Sequence, residues 1–349
     1  MICALIMAGG KGERFWPLST DEKPKQFLKL FGDDTMIQMT VNRLTNLIPL
    51  EQIFIVTGKC YEDLIKEQLP LLPEKNIILE PVGKNTAPCI ALSSFIIEKQ
   101  FPGSTIVVLP ADHIIIDEAN FREVIKSGCE YIDKNEEDIV TIGMKPTRPD
   151  TGYGYIQYGD VSETMGKNEI REVSQFVEKP DLAKAIAYIK NGHFLWNGGM
   201  FIWKAKYMLK LTDLYLNKTY KVLEKIVSTS GEQFYSVLDK QYRTLESISV
   251  DYGIMEKVKN IKVIPSYFGW DDVGSWYAVE RLREKDENEN VYVGDVQSVE
   301  SNNNIVFSEN KRVILSGIND IFVVENEDLI FIGSKETISS IKQIKEMFN

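Results

Sequence analysis

Residues 3–14 read Cys3-Ala4-Leu5-Ile6-Met7-Ala8-Gly9-Gly10-Lys11-Gly12-Glu13-Arg14. The first five residues are apolar and have the length of a buried strand, and the first glycine follows them after Ala8. Glycine permits positive φ and close approach to a ligand, so consecutive N–H groups can converge on an anion. Lys11 and Arg14 add positive charge, and an arginine can hold two oxygens at once. The stretch predicts a buried strand followed by a loop suited to binding phosphate.

The two familiar phosphate-binding motifs do not fit this loop. A P-loop requires Gly-Lys-Ser/Thr at its end, which is absent. A dinucleotide fingerprint opens a helix, whereas here Trp16 and Pro17 interrupt helix formation. Taken alone, the loop is also compatible with a purely structural turn. A further candidate cation, Lys25, follows Pro24, and its presence favours the phosphate-binding interpretation of the loop over the structural one.

The following sequence alternates between short apolar runs and stretches of helical periodicity. Strands are predicted at Ile53–Thr57, Thr105–Leu109 and Ile139–Ile142, and helices at Met36–Leu47, Tyr61–Leu69 and Ala87–Glu98. This alternation predicts βαβ units, an α/β fold and a mixed, mostly parallel sheet. Ligands of such sheets bind beyond the carboxyl ends of the strands, where Pro110–His113 would also lie.

The pattern of predicted secondary structure changes after about residue 150 and again after Asp286. Turn-rich Thr151–Gly159 and a strand at Gln175–Glu178 are followed by predicted helices at Leu182–Ile189 and Tyr207–Val227. Beyond Asp286 come β-type runs and a last helix, at Val291–Val293, Asn304–Phe307, Val313–Leu315, Ile321–Val324, Leu329–Ile332 and Lys335–Met347. We therefore predict a large α/β domain over residues 1–285 and a small β-rich C-terminal domain over residues 286–349.

Composition excludes several classes of protein. The 349 residues are 44% hydrophobic, as expected of a globular chain, and their formal charge of −11 argues against a nucleic-acid-binding surface. The four cysteines have no metal-ligand spacing. No apolar run approaches the roughly 18 residues of a membrane helix, and the apolar start Ile2–Ala8 is too short for a signal peptide. We expect a cytoplasmic protein with neither nucleic acid nor membrane as a partner.

Leu5–Ser19, with Pro24-Lys25-Gln26-Phe27, resembles the signature of the nucleotide-sugar pyrophosphorylases, most closely the bacterial mannose-1-phosphate guanylyltransferases. Six further blocks follow in that family's order: Glu80–Pro88, Leu109–His113, Gly152–Ile156, Phe176–Pro180, Trp196–Phe201 and Trp270–Trp276. Their joint occurrence over most of residues 1–280 is far more specific than any one block. The resemblance implies a Rossmann-like nucleotidyltransferase fold. It also implies a reaction in which GTP and mannose 1-phosphate give GDP-mannose and pyrophosphate.

The resemblance also implies roles for particular residues. Arg14 and Lys25 would be the catalytic, phosphate-contacting cations, with Arg14 near the leaving pyrophosphate. Nucleotide binding would fall to Ala8, Gly9, Gly10, Gly12, Glu80, Asn85, Thr86 and Asp112. The sugar would be bound by Gly154, Glu178 and Asn197, and Mg²⁺ would be held by Asp112 and Asp272.

The implied chemistry suits these residue types. The attacking sugar-phosphate oxygen is already an anion, so catalysis depends on positioning and on stabilising negative charge rather than on a general base. Mg²⁺ commonly takes one or two protein carboxylates and completes its octahedron with phosphate and water. Asp271 adjoins Asp272, and on a strand-like backbone only one of the two would face the ligand. The His113 side chain is expected to point away from Asp112.

Other functions compete with this interpretation. The chain could be a nucleotidyltransferase for another pair of nucleoside triphosphate and hexose 1-phosphate. It could also be a non-catalytic regulatory homologue that binds a sugar nucleotide. The latter would be expected to lack Arg14, Lys25, Asp112 or Asp272, and all four are present. An NAD-dependent dehydrogenase is disfavoured by the poor fingerprint. No clustered His/Glu set follows Asp286, so transferase activity without phosphomannose isomerase activity is expected. A homodimer is possible.

Overall fold

The computed structural model describes residues 1–10, 12–229 and 231–348, except for the side chain of Glu232. Its strands are β1 (Ile2–Met7), β2 (Ile53–Gly58), β3 (Ile77–Glu80), β4 (Thr105–Pro110), β5 (Ile114–Ile115), β6 (Ile139–Met144), β7 (Tyr155–Met165), β8 (Asn168–Val177), β9 (Phe194–Lys204), β10 (Ile261–Ser266), β11 (Trp270–Asp271), β12 (Val291–Val293), β13 (Val296–Val299), β14 (Ile305–Ser308), β15 (Val313–Ser316), β16 (Ile321–Glu325) and β17 (Ile330–Ser334). Its α-helices are α1 (Met36–Asn42), α2 (Glu62–Gln68), α3 (Thr86–Gln100), α4 (Glu118–Lys134), α5 (Leu182–Asn191), α6 (Ala205–Tyr215), α7 (Asn217–Ser228), α8 (Glu232–Tyr242), α9 (Val250–Gly253), α10 (Trp276–Leu282) and α11 (Ile341–Phe348).

A nine-stranded sheet has the strand order β3-β2-β1-β4-β9-β6-β10-β8-β7. The strands β1, β2, β3 and β4 pair in parallel, as do β6 and β10. The strands β8 and β9 run against their neighbours. The predicted mixed, mostly parallel sheet is therefore confirmed. The carboxyl ends of β1, β3 and β4 lead into the glycine-rich loop, the Glu80 block and the Asp112 block.

The two compact units of the chain are each built from several segments. The first comprises Met1–Gly9, Thr40–Ala111 and Ile115–Trp270. The second comprises Gly10–Met39, Asp112–Ile114 and Asp271–Asn349. The second unit thus contains the predicted C-terminal strands together with earlier segments, and a domain boundary at residue 286 stays a prediction.

The first unit has its core on the central strands, because their side chains are apolar on both faces of the sheet. Leu5, Phe54 and Val108 are fully or almost fully buried. They belong to one apolar cluster with the helix α3, and Phe201 and Trp203 of β9 stack within it. The long continuous apolar runs of β1, β2 and β4 are typical of a sheet that is covered on both sides.

The β-rich part of the second unit winds in parallel coils. β12, β14 and β16 pair in parallel, and so do β13 and β15, while β17 closes the edge in the antiparallel direction. Asn290 Oδ1 accepts a bond from Asn304 N at 2.9 Å, and Asn304 Oδ1 accepts one from Ile321 N at 3.0 Å. The steps of 14 and 17 residues between these partners are unequal, so the stacking leaves no regular repeat in the sequence.

Element boundaries differ from the sequence-based predictions in several places. The helix predicted over Met36–Leu47 ends at Asn42, and residues 155–159 of the stretch predicted as turn-rich already belong to β7. The helix expected over Tyr207–Val227 is two helices, α6 and α7, because the backbone leaves the helical conformation at Leu216. The last predicted helix begins as a 3-10 turn, Lys335–Ser340, before α11. None of the described helices is both long and apolar enough to span a membrane.

Candidate active site

Lys25 is buried and its ammonium group is fully engaged. Nζ lies 2.7 Å from the Asp272 carbonyl oxygen, 3.0 Å from the Val273 carbonyl oxygen and 2.8 Å from Asp112 Oδ2. An ammonium has three protons to donate, so each has an acceptor. The sequence predicted Lys25 as a phosphate contact but did not predict that it joins the two proposed metal-binding segments. It is therefore a structural link within the second unit as well as a candidate ligand group.

Gly12 allows the glycine-rich loop to pass directly against Lys25. Its φ of 60° lies in the left-handed region, and a Cβ at this position would come within 2.5 Å of Lys25 Cβ and Lys25 N. Both the dihedral angle and the close approach require glycine. After Gly12 the chain forms only a 3-10 turn, Glu13–Phe15, and no α-helix follows at once. The prediction that Trp16 and Pro17 interrupt a helix is confirmed.

Gly12→Ala is expected to lower the free energy of unfolding by about 2 kcal/mol or more, since a left-handed non-glycine residue costs about 1–2 kcal/mol and the clash adds to it. Urea unfolding would measure the change. Gly10→Ala is the matched control, because no atom lies within 4 Å of the Cβ it would add and its φ is not positive. Equal stability of the two variants would contradict the assigned role of Gly12.

Asp112 carries its charge in a partly buried position. Burial alone would raise the pKa of Asp112, but the charges of Lys25 and His113 and the hydrogen bond from Lys25 bring it below its usual value. The carboxylate therefore stays ionised over the physiological range, as a metal ligand must. His113 Nε2 lies 4.0 Å from Asp112 Oδ1, so the expectation that the imidazole points away is wrong.

Asp271 and Asp272 have different environments. Asp271 is buried, and its carboxylate accepts a 2.9 Å bond from Val273 N and pairs with Arg281. Asp272 instead presents its carboxylate near Gly274, where an added Cβ would lie 3.2 Å from Oδ2. Val273, which follows the two aspartates, has a φ of 49°, a strained conformation for a β-branched residue. The turn thus fixes one aspartate inside the protein and turns the other outward.

The four residues singled out for phosphate and metal chemistry line one cavity of the second unit. This cavity has a volume of about 440 Å³ and is lined by Arg14, Lys25, Asp112 and Asp272, together with His113. Arg14 Nη1 makes a long 3.4 Å contact with the Gly274 carbonyl oxygen, and Gly10 O accepts a bond from Gln26. Lys11 lies outside the described residues. Within the described part of the chain no group of three His, Cys, Asp or Glu forms a metal site.

In the first unit, Glu80 ends β3 inside a small polar cluster. Its Oε1 accepts the Tyr242 hydroxyl, and Cys89 is a further hydrogen-bonding neighbour. Burial raises the pKa of Glu80 to about 7, against the opposing effect of the bonds from Tyr242 and Cys89. Its Oε2 would lie 3.8 Å from a Cβ on Gly9, so Glu80 and Gly9 are neighbours. Tyr242 was not predicted from the sequence, because no spacing links it to residue 80.

The raised pKa of Glu80 predicts a pH-dependent stability. Between its ordinary value of 4.5 and about 7 the folded state holds a proton that the unfolded state has lost, so stability falls as pH rises through this window. The unfolding free energy of Glu80→Gln, relative to that of wild type, should therefore rise by up to about 3 kcal/mol between pH 4.5 and 7. Above pH 7 this difference should stay constant. Urea unfolding at several pH values would measure this difference. A difference that does not vary with pH would contradict the assignment.

Tyr242→Phe is the companion variant for the same measurement. The tyrosine hydroxyl donates to the ionised carboxylate and thereby lowers the pKa of Glu80. Its loss should raise that pKa further and extend the window of falling stability above pH 7. An unchanged window would show that the hydrogen bond does not stabilise the carboxylate.

The other predicted nucleotide-binding residues of the first unit serve partly as scaffold. Asn85 has a φ of 63° and caps α3, with Oδ1 accepting from Thr86 N at 2.8 Å. Thr86 Oγ1 accepts from Val250 N at 2.8 Å. Ala8 N donates to Val56 O at 2.8 Å, and Ala8 is buried. These contacts rigidify the segments that would receive a nucleotide.

The three predicted sugar-binding residues lie together. A Cβ on Gly154 would lie 3.1 Å from Glu178 Oε2 and 3.6 Å from Asn197 Cβ, and Asn197 N donates to Gly154 O at 2.8 Å. Asn197 Nδ2 also donates to Asp251 Oδ1 at 3.0 Å. Asp251 is a polar member of this cluster that the sequence did not reveal, because it is 54 residues away in a segment without a distinctive motif.

Comparison with known proteins identifies the family of this chain. The family model described as nucleotidyl transferase matches residues 3–289. A mannose-1-phosphate guanylyltransferase of Escherichia coli (strain K12) is 37% identical over 348 residues, which cover 98% of this chain and 72% of that protein. The chain belongs to the mannose-1-phosphate guanylyltransferase family of nucleotidyl transferases. It is accordingly an enzyme, and nucleotidyl transferases generally use a divalent metal ion.

Solved structures extend the similarity to the whole fold of this guanylyltransferase-family chain. A Thermus thermophilus protein described as a mannose-1-phosphate geranyltransferase has a TM-score of 0.87 and 32% identity, with 99% of each chain covered. A Helicobacter pylori protein described as a mannose-6-phosphate isomerase has a TM-score of 0.63 and 26% identity, covering 77% of this chain and 99% of that one. The predicted Rossmann-like nucleotidyltransferase fold is thereby confirmed.

Proposed function

We propose that this chain transfers GMP from GTP to mannose 1-phosphate, giving GDP-mannose and pyrophosphate. The observation that carries the proposal is the cavity on which Arg14, Lys25, Asp112 and Asp272 converge. These cations and carboxylates, brought together in one cavity, suit a metal-assisted reaction between phosphates. The similarity to guanylyltransferases over nearly the whole chain supports the choice of nucleotide and sugar.

The proposed step is direct attack of the sugar-phosphate oxygen on the α-phosphorus of GTP. The new P–O bond forms as the bond to the departing pyrophosphate breaks, and the attacking oxygen needs no proton removed. Arg14 would lie near the leaving pyrophosphate and stabilise its growing charge. Lys25 would act on the phosphates from its position beside Asp112, which requires the ammonium to exchange at least one of its present acceptors.

The residues present fit a Mg²⁺ site. Asp112 and Asp272 offer hard oxygen ligands to the same cavity, and Mg²⁺ bound to phosphates needs only one or two protein carboxylates. When bound, the metal would neutralise part of the charge of the phosphates. Asp271 is unsuited to this role because it is committed to Val273 and Arg281.

Substrate recognition is proposed for the polar clusters of the first unit and for the glycine-rich loop. Glu80, Asn85 and Thr86 would bind the nucleotide base, and Gly9, Gly10 and Gly12 would offer backbone groups to the phosphates, alongside Ala8. Gly154, Glu178 and Asn197 would bind the sugar, for which their proximity to one another is the supporting observation. A carboxylate and an amide together can accept from and donate to sugar hydroxyls.

A substrate panel tests the proposal. Steady-state pyrophosphate release should be measured with each of GTP, ATP, UTP and dTTP against mannose 1-phosphate and glucose 1-phosphate, with Mg²⁺ present. The highest kcat/KM is expected for GTP with mannose 1-phosphate. A different best pair would replace the substrates but keep the reaction class. Binding of GDP-mannose without turnover of any pair would favour the non-catalytic homologue.

Three further properties are proposed with the function. Residues 1–285 would form the catalytic domain and residues 286–349 a separate β-rich domain, the family match over residues 3–289 being consistent with such a division. The enzyme would act in the cytoplasm as a homodimer, an assembly that light scattering would test.

A further inference from the structure

Asn197 has an amide side chain whose orientation is set from two sides. Its Oδ1 accepts from Gly199 N at 3.1 Å, and its Nδ2 donates to Asp251 Oδ1 at 3.0 Å. Each contact selects the same orientation, since a backbone N–H requires the oxygen and a carboxylate requires the nitrogen. The main chain of residue 197 is held as well, by its bond to Gly154 O. The second proton of Nδ2 is used by neither contact.

Asp251 is itself held firmly. It lies in the short helix α9, whose first residue Val250 donates to Thr86 Oγ1, while Ala87 N donates to Ile248 O at 3.1 Å. Ser249 caps the same turn by accepting from Tyr252 N. These bonds join the segment to the start of α3, so the carboxylate is presented from a fixed backbone.

The surroundings of Asp251 disfavour its ionised carboxylate unless a hydrogen-bond donor stabilises it. Burial raises the pKa of Asp251; the hydrogen bond from Asn197 opposes this, and the charges of Glu178 and Glu256 add to it. The carboxylates of Glu178 and Asp251 are therefore close enough to repel each other, and Asn197 donates to one of them. Such an arrangement is stabilised by the N–H of Asn197 and by any hydroxyl groups that a ligand donates.

We propose that Asp251 is a positioning residue of the sugar subsite, which acts by orienting the amide of Asn197 toward a hexose 1-phosphate. The inference rests on the proposed function, because Asn197 is a sugar contact only if that function holds. It predicts that Asp251 affects the binding of the sugar phosphate and not that of the nucleotide.

The test compares KM for each substrate in three variants. Asp251→Ala should raise KM for mannose 1-phosphate about 10-fold, the size of one hydrogen bond, and leave KM for GTP within about twofold. Asp251→Asn retains an acceptor for Asn197 Nδ2 and should restore KM for mannose 1-phosphate to within about threefold of wild type. Glu256→Ala is the matched control, an exposed acidic neighbour that should change neither KM.

The outcomes separate this inference from the proposed function. An unchanged KM for mannose 1-phosphate, an equal rise in both KM values, or no rescue by Asp251→Asn would overturn the positioning role. Turnover by wild type with another hexose 1-phosphate would overturn only the proposed sugar, and the same comparison would then be made with that sugar. Absence of any turnover would overturn both. If Asp251→Ala does not fold, Asp251→Glu, which displaces the carboxylate, should show the same selective rise.

Discussion

Replacing Lys25 by alanine is expected to lower kcat/KM about 100-fold or more. The ammonium donates to Asp112 and to the carbonyl oxygens of residues 272 and 273, so its loss removes a cation and leaves three acceptors of the cavity without their donor. Loss of one preorganised charge-stabilising group typically costs 10²–10³ in rate. The free energy of unfolding should also fall, by about 1–3 kcal/mol, because buried acceptors lose their partner.

The two effects of Lys25→Ala are separated by measuring initial rates at a temperature where urea unfolding shows the variant to be folded. Lys23→Ala provides the matched control, since Lys23 is an exposed lysine two residues upstream. It should retain kcat/KM within about twofold. A folded Lys25→Ala protein with near-normal kcat/KM would remove Lys25 from the catalytic machinery and leave it a structural link alone.

The fold was largely predictable because its strands are long apolar runs. β1, β2, β4 and β6 each read as continuous hydrophobic segments, and the loops after them carry the polar residues. Parallel strands bring their carboxyl ends to one edge, so the loop positions followed from chemistry that is local in sequence. The break at Leu216 was not predictable, since apolar periodicity continues from α6 into α7 and only the backbone reveals the interruption.

The resemblance grouped residues that are neighbours in the structure, but it did not predict their contacts. Gly154, Glu178 and Asn197 were placed in one subsite by resemblance, and they are neighbours in the structure. The bonds from Tyr242 to Glu80 and from Asn197 to Asp251 join residues 162 and 54 positions apart. Each of these partners is an ordinary polar residue in its own segment, and only the tertiary fold brings it to the site.

Asp271 and Asp272 show more clearly where sequence-based prediction stops, because these adjacent residues are of the same type and have different environments. The sequence predicted that only one would face the ligand. The structure distinguishes them: Asp271 is 3% exposed and bonded to Val273 N and Arg281, whereas Asp272 lines the cavity. The positive φ of Val273 is part of the turn that divides them.

Asp272→Ala is accordingly expected to lower kcat/KM about 100-fold or more with a small change in stability, and to raise the Mg²⁺ concentration needed for half-maximal rate. Asp271→Ala should show the opposite pattern. It leaves the buried Val273 N–H without its acceptor and removes the carboxylate partner of Arg281, which should cost about 2–4 kcal/mol of unfolding free energy. Its kcat/KM should fall less, through distortion of the turn.

The pair is measured together, by steady-state rates over a Mg²⁺ titration and by urea unfolding of both variants. Because the two aspartates share charge and size and are adjacent in sequence, any general effect of removing a carboxylate should appear equally in both. Opposite rankings in rate and in stability would therefore identify Asp272 as the residue that serves the reaction and Asp271 as the residue that holds the turn. A larger loss of kcat/KM in Asp271→Ala than in Asp272→Ala would reverse the assignment and make the buried carboxylate the functional one.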